Sequence, residues 1–146
     1  MKLLRLLLIC TALLGAFPTF AAPEDEVRAA GQRWIEGIGM GDPDYMVALY
    51  AEDGILHGTS SPVVRVGHTL IREYFAGLTG VSVAMNFVEP QHIRVYDDIA
   101  INTGNYETKI GDAAPVRLRY SFVYRKVGEE WLIVDHHSSR MPEVQQ

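Results

Sequence analysis

The chain has 146 residues, with 13 lysines and arginines against 18 aspartates and glutamates, a formal charge of −5 and a single cysteine. That length suits one domain, since about 100–150 residues is the commonest domain size. The acidic balance argues against a nucleic-acid partner, which normally requires a basic footprint.

Residues 1–21 read as an export signal, because Lys2 and Arg5 precede the apolar run 6–17 and Thr19-Phe20-Ala21 offers small residues to signal peptidase. Cleavage is expected after Ala21, since a cut after Ala22 would leave Pro23 at the new N-terminus. The apolar run is too short for a membrane span of about 20 residues. Cleavage would remove Cys10, and with it any disulfide or thiolate chemistry. It would also remove Lys2 and Arg5, taking the formal charge from −5 to −7. A periplasmic or secreted domain over residues 22–146, free of the membrane, is the expected product.

In that domain Pro23 sits where a helix can start, with Glu24, Asp25 and Glu26 at the positive end of its dipole. Val27, Ala30, Trp34 and Ile38 recur at helical spacing until Gly39 and Gly41. Asp42-Pro43 restarts a short helix through Tyr45, Met46, Leu49 and Tyr50. Residues 51–54 read as a turn into a strand at Ile55, Leu56 and His57, followed by a polar loop and an extended 63–66. A third helix is expected over 69–78 with Gly80 as its left-handed cap. Residues 81–96 form a long strand in which Pro90 marks a bulge or an edge. Asp97-Asp98 turns it into 99–110, and 111–115 turns again into a final hairpin.

That hairpin alternates clearly. Leu118, Tyr120, Phe122 and Tyr124 interleave with Arg117, Arg119, Ser121, Val123 and Arg125, the period of a half-buried strand. Gly128-Glu129-Glu130 as a three-residue turn sets Phe122 and His136 on one face, Ser121 and His137 on the other. The reading is α+β: a cone-shaped, strongly curved antiparallel sheet wrapped around three N-terminal helices, with a cavity between the layers.

This order, with Ser61-Pro62-Val63-Val64-Arg65, Gly67, Ile71-Arg72-Glu73-Tyr74-Phe75, Phe122-Val123-Tyr124-Arg125 and Trp131-Leu132-Ile133-Val134-Asp135-His136-His137-Ser138-Ser139, resembles the nuclear transport factor 2-like (SnoaL-like) superfamily, which shares the cystatin-like fold. Within it the chain is most similar to bacterial stand-alone proteins related to the association domain of calcium/calmodulin-dependent protein kinase II, also labelled SgcJ/EcaC-like. The resemblance implies self-association through the sheet and a ligand cavity inside the cone. Kinase association domains line their cavity with arginines and a histidine. Here Phe122 and Ser138 fall at two arginine positions, Gly104 near a third, and Ile71 at the histidine, so anion binding is not implied. Nor is kinase activity or a calmodulin partner, because the chain has no glycine-rich nucleotide loop and no basic amphipathic target helix.

His136 is the best candidate for acid–base work, because histidine titrates near neutral pH. Adjacent strand residues point to opposite faces, so His136 and His137 do not form a chelating pair. Tyr50, His57, Tyr120, Phe122, His136 and Ser138 are expected to line the cavity, with Tyr120 as the hydrogen-bond partner of His136. Arg119, Ser121, Val123, Ile133, Asp135 and His137 are expected to form the self-association face. Trp34, Tyr45, Tyr50, Tyr74 and Phe75 suit either an aromatic ligand site or the core. No metal site or cofactor fingerprint is present. The expected function is an exported, self-associating domain binding a small, largely apolar molecule. The alternatives are a cofactor-free dehydratase or isomerase using His136, the oxidoreductase label carried by SgcJ/EcaC relatives, and a purely structural hub.

Overall fold

The computed structural model describes residues 21–142; most of the expected signal, including Cys10, lies outside the described residues. Helix α1 (Pro23–Met40) buries Val27, Ala30, Trp34, Ile35 and Ile38 along one stripe. It ends at Gly41, whose φ of 65° is the left-handed conformation that only glycine adopts freely. Helix α2 (Pro43–Ala48) starts as its sequence dictates: the Asp42 carboxylate accepts from the amides of Asp44 and Tyr45.

Strand β1 (Tyr50–His57) begins earlier than expected, so residues 51–54 are not a free turn. They form an irregular stretch in which the pairing passes from Tyr50 opposite Ile133 to Ile55 opposite Asp135. Gly54 is needed there, because a β-carbon would lie 2.9 Å from the Ala51 carbonyl and 3.1 Å from that of Ile133. After β2 (Arg65–Val66), helix α3 spans Gly67–Ala76, two residues ahead of the expected span. Gly80 is positive in φ but does not cap it. Turns closing Leu78 on Phe75, Thr79 on Ala76 and Val81 on Leu78 carry the winding on until Gly80 reverses the chain.

Strands β3 (Val83–Tyr96), β4 (Ile99–Ile110), β5 (Val116–Val127) and β6 (Glu130–Arg140) follow as an antiparallel meander. The sheet order is β2-β1-β6-β5-β4-β3, which leaves the sheet unclosed with β2 and β3 at its borders. Pro90 lies where the β3–β4 register shifts, between Val88 and His92. The sheet is curved and not wholly antiparallel, since β1 runs parallel to β6. A parallel pair requires a long crossover, and α3 with β3 to β5 supplies it. Helix α1 packs on β3, β4 and β6, and α3 on β1 and α2, so the helices cover one face. The Glu26 carboxylate receives Lys126 at 2.7 Å and the Trp131 indole at 2.9 Å, fastening the start of α1 to the β5–β6 hairpin.

The hairpin departs from expectation twice, and the departures cancel. Val127 pairs with Glu130, so the turn is the two residues Gly128 and Glu129. One residue is then inserted at Val134, where the register jumps from Tyr124 opposite Ile133 to Val123 opposite Asp135. Beyond this bulge Phe122 faces His136 and Ser121 faces His137, as the sequence indicates. Between turn and bulge the faces are exchanged. Trp131 and Ile133 therefore point into the core, and Ile133, at 1% exposure, is removed from the proposed self-association face.

Candidate functional site

The layer between helices and sheet holds a cavity of about 260 Å³. Its walls are apolar: Trp34 and Ile38 from α1, Leu56 from β1, Tyr74, Phe75 and Leu78 from α3 and the turn after it, Met85 from β3, and Leu118 from β5. The volume lies just under the range of about 300–1,000 Å³ usual for ligand pockets, room for a small organic molecule. Polar groups enter the wall from the loop after β1 (Thr59, Ser60), from β4 (Tyr106, Thr108) and from β6. His136, Ser138 and Arg140 occupy alternate positions of β6 and so share its inner face, running from a buried imidazole to an exposed guanidinium.

His136 is 1% exposed. Its ring stacks on Phe122 at 4.2 Å between centroids and meets Trp34 edge-on at 4.9 Å. Nδ1 lies 2.9 Å from the Tyr50 hydroxyl, which accepts the Trp34 indole N–H at 3.0 Å. Nε2 is buried with no partner. Burial pushes the imidazole pKa down from 6.5 to about 3, with His137 and His57 adding in the same direction, so the ring is neutral at physiological pH. Burial also drives the Tyr50 hydroxyl well above its ordinary value. Ser138 exchanges hydrogen bonds with the hydroxyls of Thr59 and Tyr106, and burial raises Tyr106 to about 12. Two hydrogen bonds thus link these three hydroxyls in a chain centred on Ser138.

Of the six expected cavity residues, His136 and Ser138 line the wall. Tyr50 and Phe122 stand one layer behind, packed against the imidazole. Tyr120 is turned away: its hydroxyl donates to Asn102 Oδ1, while Asn102 Nδ2 donates to Gln91. The partner of His136 is therefore Tyr50 rather than Tyr120. His57 leaves the set altogether, because its parallel pairing with His137 turns it to the outer face, where the two rings stack at 5.6 Å. On that face one register row runs His92, Thr103, Ser121, His137, His57, and the next carries Ile101, Val123 and Asp135. Arg119 stands on the other side of the Ser121 row, between Asn105 and Ser139.

Tyr106, Thr59 and Arg140 are cavity groups that sequence reasoning missed. Arg140 was legible, being one step of alternation past Ser138; Thr59, in a loop, gave no signal. Among the described residues no cluster of three or more histidine, cysteine or acidic side chains is placed to hold a metal.

A family model described as the calcium/calmodulin dependent protein kinase II association domain matches residues 23–142. A search of curated proteins finds no match. A solved structure from Xanthomonas campestris, provisionally assigned to that same association domain, is 35% identical over 86% of this chain and 95% of its own, with a TM-score of 0.76. A provisionally assigned dehydratase of the NTF2-like family from Streptomyces avermitilis is 17% identical, with a TM-score of 0.74 over 82% of this chain and 96% of its own. A ketosteroid isomerase-like protein from Erwinia carotovora atroseptica is 19% identical, with a TM-score of 0.68 over 85% of this chain and 100% of its own.

Proposed function

Because the chain belongs to the calcium/calmodulin-dependent protein kinase II association domain family and has the nuclear transport factor 2-like fold, we propose that it is an exported, self-associating domain whose cavity binds a small, largely apolar molecule. The observation that carries the binding reading is the cavity itself. It is bounded by side chains of the helices and of the sheet and walled mainly by aliphatic and aromatic groups, with few polar side chains, among them Thr59, Tyr106, Thr108, His136 and Ser138. Such pockets take ligands by apolar burial and orient them with few polar contacts.

Binding is favoured over catalysis by what surrounds His136. Proton transfer needs a group that titrates near the working pH, or a partner that makes it do so. Among the described residues the cavity lining holds no carboxylate and no second histidine, and the imidazole is depressed to about 3. The likeness to a dehydratase and an isomerase-like protein lies below 20% identity and concerns the fold.

Self-association is supported by the family's association domain and by the outer sheet face, where Ile101 and Val123 stand half-buried among Ser121, Asp135 and His137. A solvated face would carry denser charge.

Native mass spectrometry of the exported protein tests both parts. A multimer carrying a small-molecule adduct that organic solvent removes is expected. A ligand-free monomer that acquires no adduct from a library of small apolar compounds would overturn the reading.

A further inference from the structure

The hydrogen bonds around His136 assign its proton. An indole N–H only donates, so the Tyr50 oxygen is an acceptor toward Trp34. Tyr50 has one hydrogen left, and the atom within reach is His136 Nδ1 at 2.9 Å. Nδ1 is therefore the acceptor nitrogen, and the neutral ring carries its hydrogen on Nε2. The Nδ1 edge is turned to Tyr50, which stands behind the cavity wall, while His136 itself borders the cavity. That leaves a buried donor, without a partner, on the edge of the ring away from Tyr50, covered by neighbouring atoms, so a ligand reaches it through a small shift of the side chains over it. A buried N–H left unpaired is costly, and native structures pair nearly all of them.

Resting on the cavity reading above, we propose that the ligand presents a neutral carbonyl oxygen to the Nε2–H of His136, its apolar remainder lying against Trp34, Leu56, Phe75 and Leu118. An acceptor is required because the donor is already on the protein. A ligand hydroxyl would bring a hydrogen of its own that needs a second acceptor, whereas a carbonyl oxygen needs only the donor that His136 supplies. A carboxylate would place its charge beside a neutral ring in an apolar wall, and the cation of the lining, Arg140, stands four strand residues away, about 13 Å along β6.

Three probes of matched size separate the possibilities: acetophenone, ethylbenzene and benzoate, titrated into the native protein by calorimetry. Acetophenone should bind roughly threefold to tenfold more tightly than ethylbenzene, the gain from one added buried hydrogen bond. The preference should vanish in His136→Phe, provided circular dichroism shows the variant folded. Nitrogen-15 spectroscopy of the native protein tests the same point without a substitution. It should find Nε2 protonated and Nδ1 bare, with Nε2 the imidazole nitrogen that responds to acetophenone. Equal binding of acetophenone and ethylbenzene, with the cavity occupied, would leave the apolar pocket intact and overturn the carbonyl assignment. Tighter binding of benzoate, or a proton found on Nδ1, would overturn it too. Binding of none of the three would take down the cavity reading and this inference together.

Discussion

Tyr50 and His136, 86 positions apart in the chain, meet through a 2.9 Å hydrogen bond at the back of the cavity wall. Tyr50→Phe removes the hydroxyl and strands both the Trp34 indole N–H and His136 Nδ1, in surroundings that leave Tyr50, Trp34 and His136 at 1%, 3% and 1% exposure. A urea unfolding curve should show a loss of about 2 kcal/mol, within the range for a buried group left unpaired. Tyr96→Phe, at a side chain 57% exposed, should change stability by no more than about 0.5 kcal/mol.

Stability should fall with acid earlier than the carboxylates alone dictate. The unfolded imidazole of residue 136 takes up its proton near pH 6.5, while the folded one resists to about 3. Between those values the unfolded state binds the extra proton, so the stabilisation is complete above 6.5 and declines as pH drops. The slope approaches about 1.4 kcal/mol per pH unit. From about pH 5.5 downward the carboxyls of Glu26 and Glu89, held down by Lys126 and Gln91, add to the same loss. Denaturation midpoints collected from pH 6.5 to about 5.5 therefore isolate His136, and His136→Phe should flatten that part of the profile.

Gly54→Ala should destabilise by about 1–3 kcal/mol, as overpacking does, because the new methyl meets two backbone carbonyls that the sheet holds in place. Gly39→Ala is the contrast. That position is exposed in α1 and the nearest atom to an added β-carbon is 3.8 Å away, so a gain of about 0.5–1 kcal/mol in helix propensity is expected. Thermal melts of the two variants should move in opposite directions.

Val123→Glu places a carboxylate at the middle of the outer sheet face. If copies meet there, the substitution should weaken assembly by about a few kcal/mol, the scale of a buried charge without a partner. Light scattering should then show a multimer for the native chain at micromolar concentration and a smaller species for the variant. A native chain that stays monomeric would remove the surface from consideration.

Export predicts a defined end. N-terminal sequencing of the protein recovered outside the cytoplasm should begin at Ala22, and full-length chain retained in the cytoplasm under native expression would contradict the signal.

The strands of the meander were legible because each alternates in residue type; β4 runs over 99–110 as read from the sequence. The bulge in β6 was not, and the reason is local. Trp131, Leu132, Ile133 and Val134 are all apolar, so alternation is silent over the stretch where the extra residue enters, and Ile133 could be assigned to either face. His57 was misplaced for a different reason. Its orientation is set by a parallel partner far along the chain, and three residues of alternation in Ile55, Leu56 and His57 do not reveal which face is inside. Tyr50 was expected in the cavity, but its bond to His136 joins the start of β1 to the end of β6 and leaves no mark in either segment.

The borders of the sheet limit how copies of this chain can accumulate. A long free strand is a template on which another chain can be laid down hydrogen bond by hydrogen bond. Here one border is the two residues of β2, and the other is β3, whose fourteen residues are broken near the middle by the register shift around Pro90, a residue with no N–H to give. Neither supports an uninterrupted ladder. Accretion strand upon strand into a fibre is therefore disfavoured at both borders of the sheet.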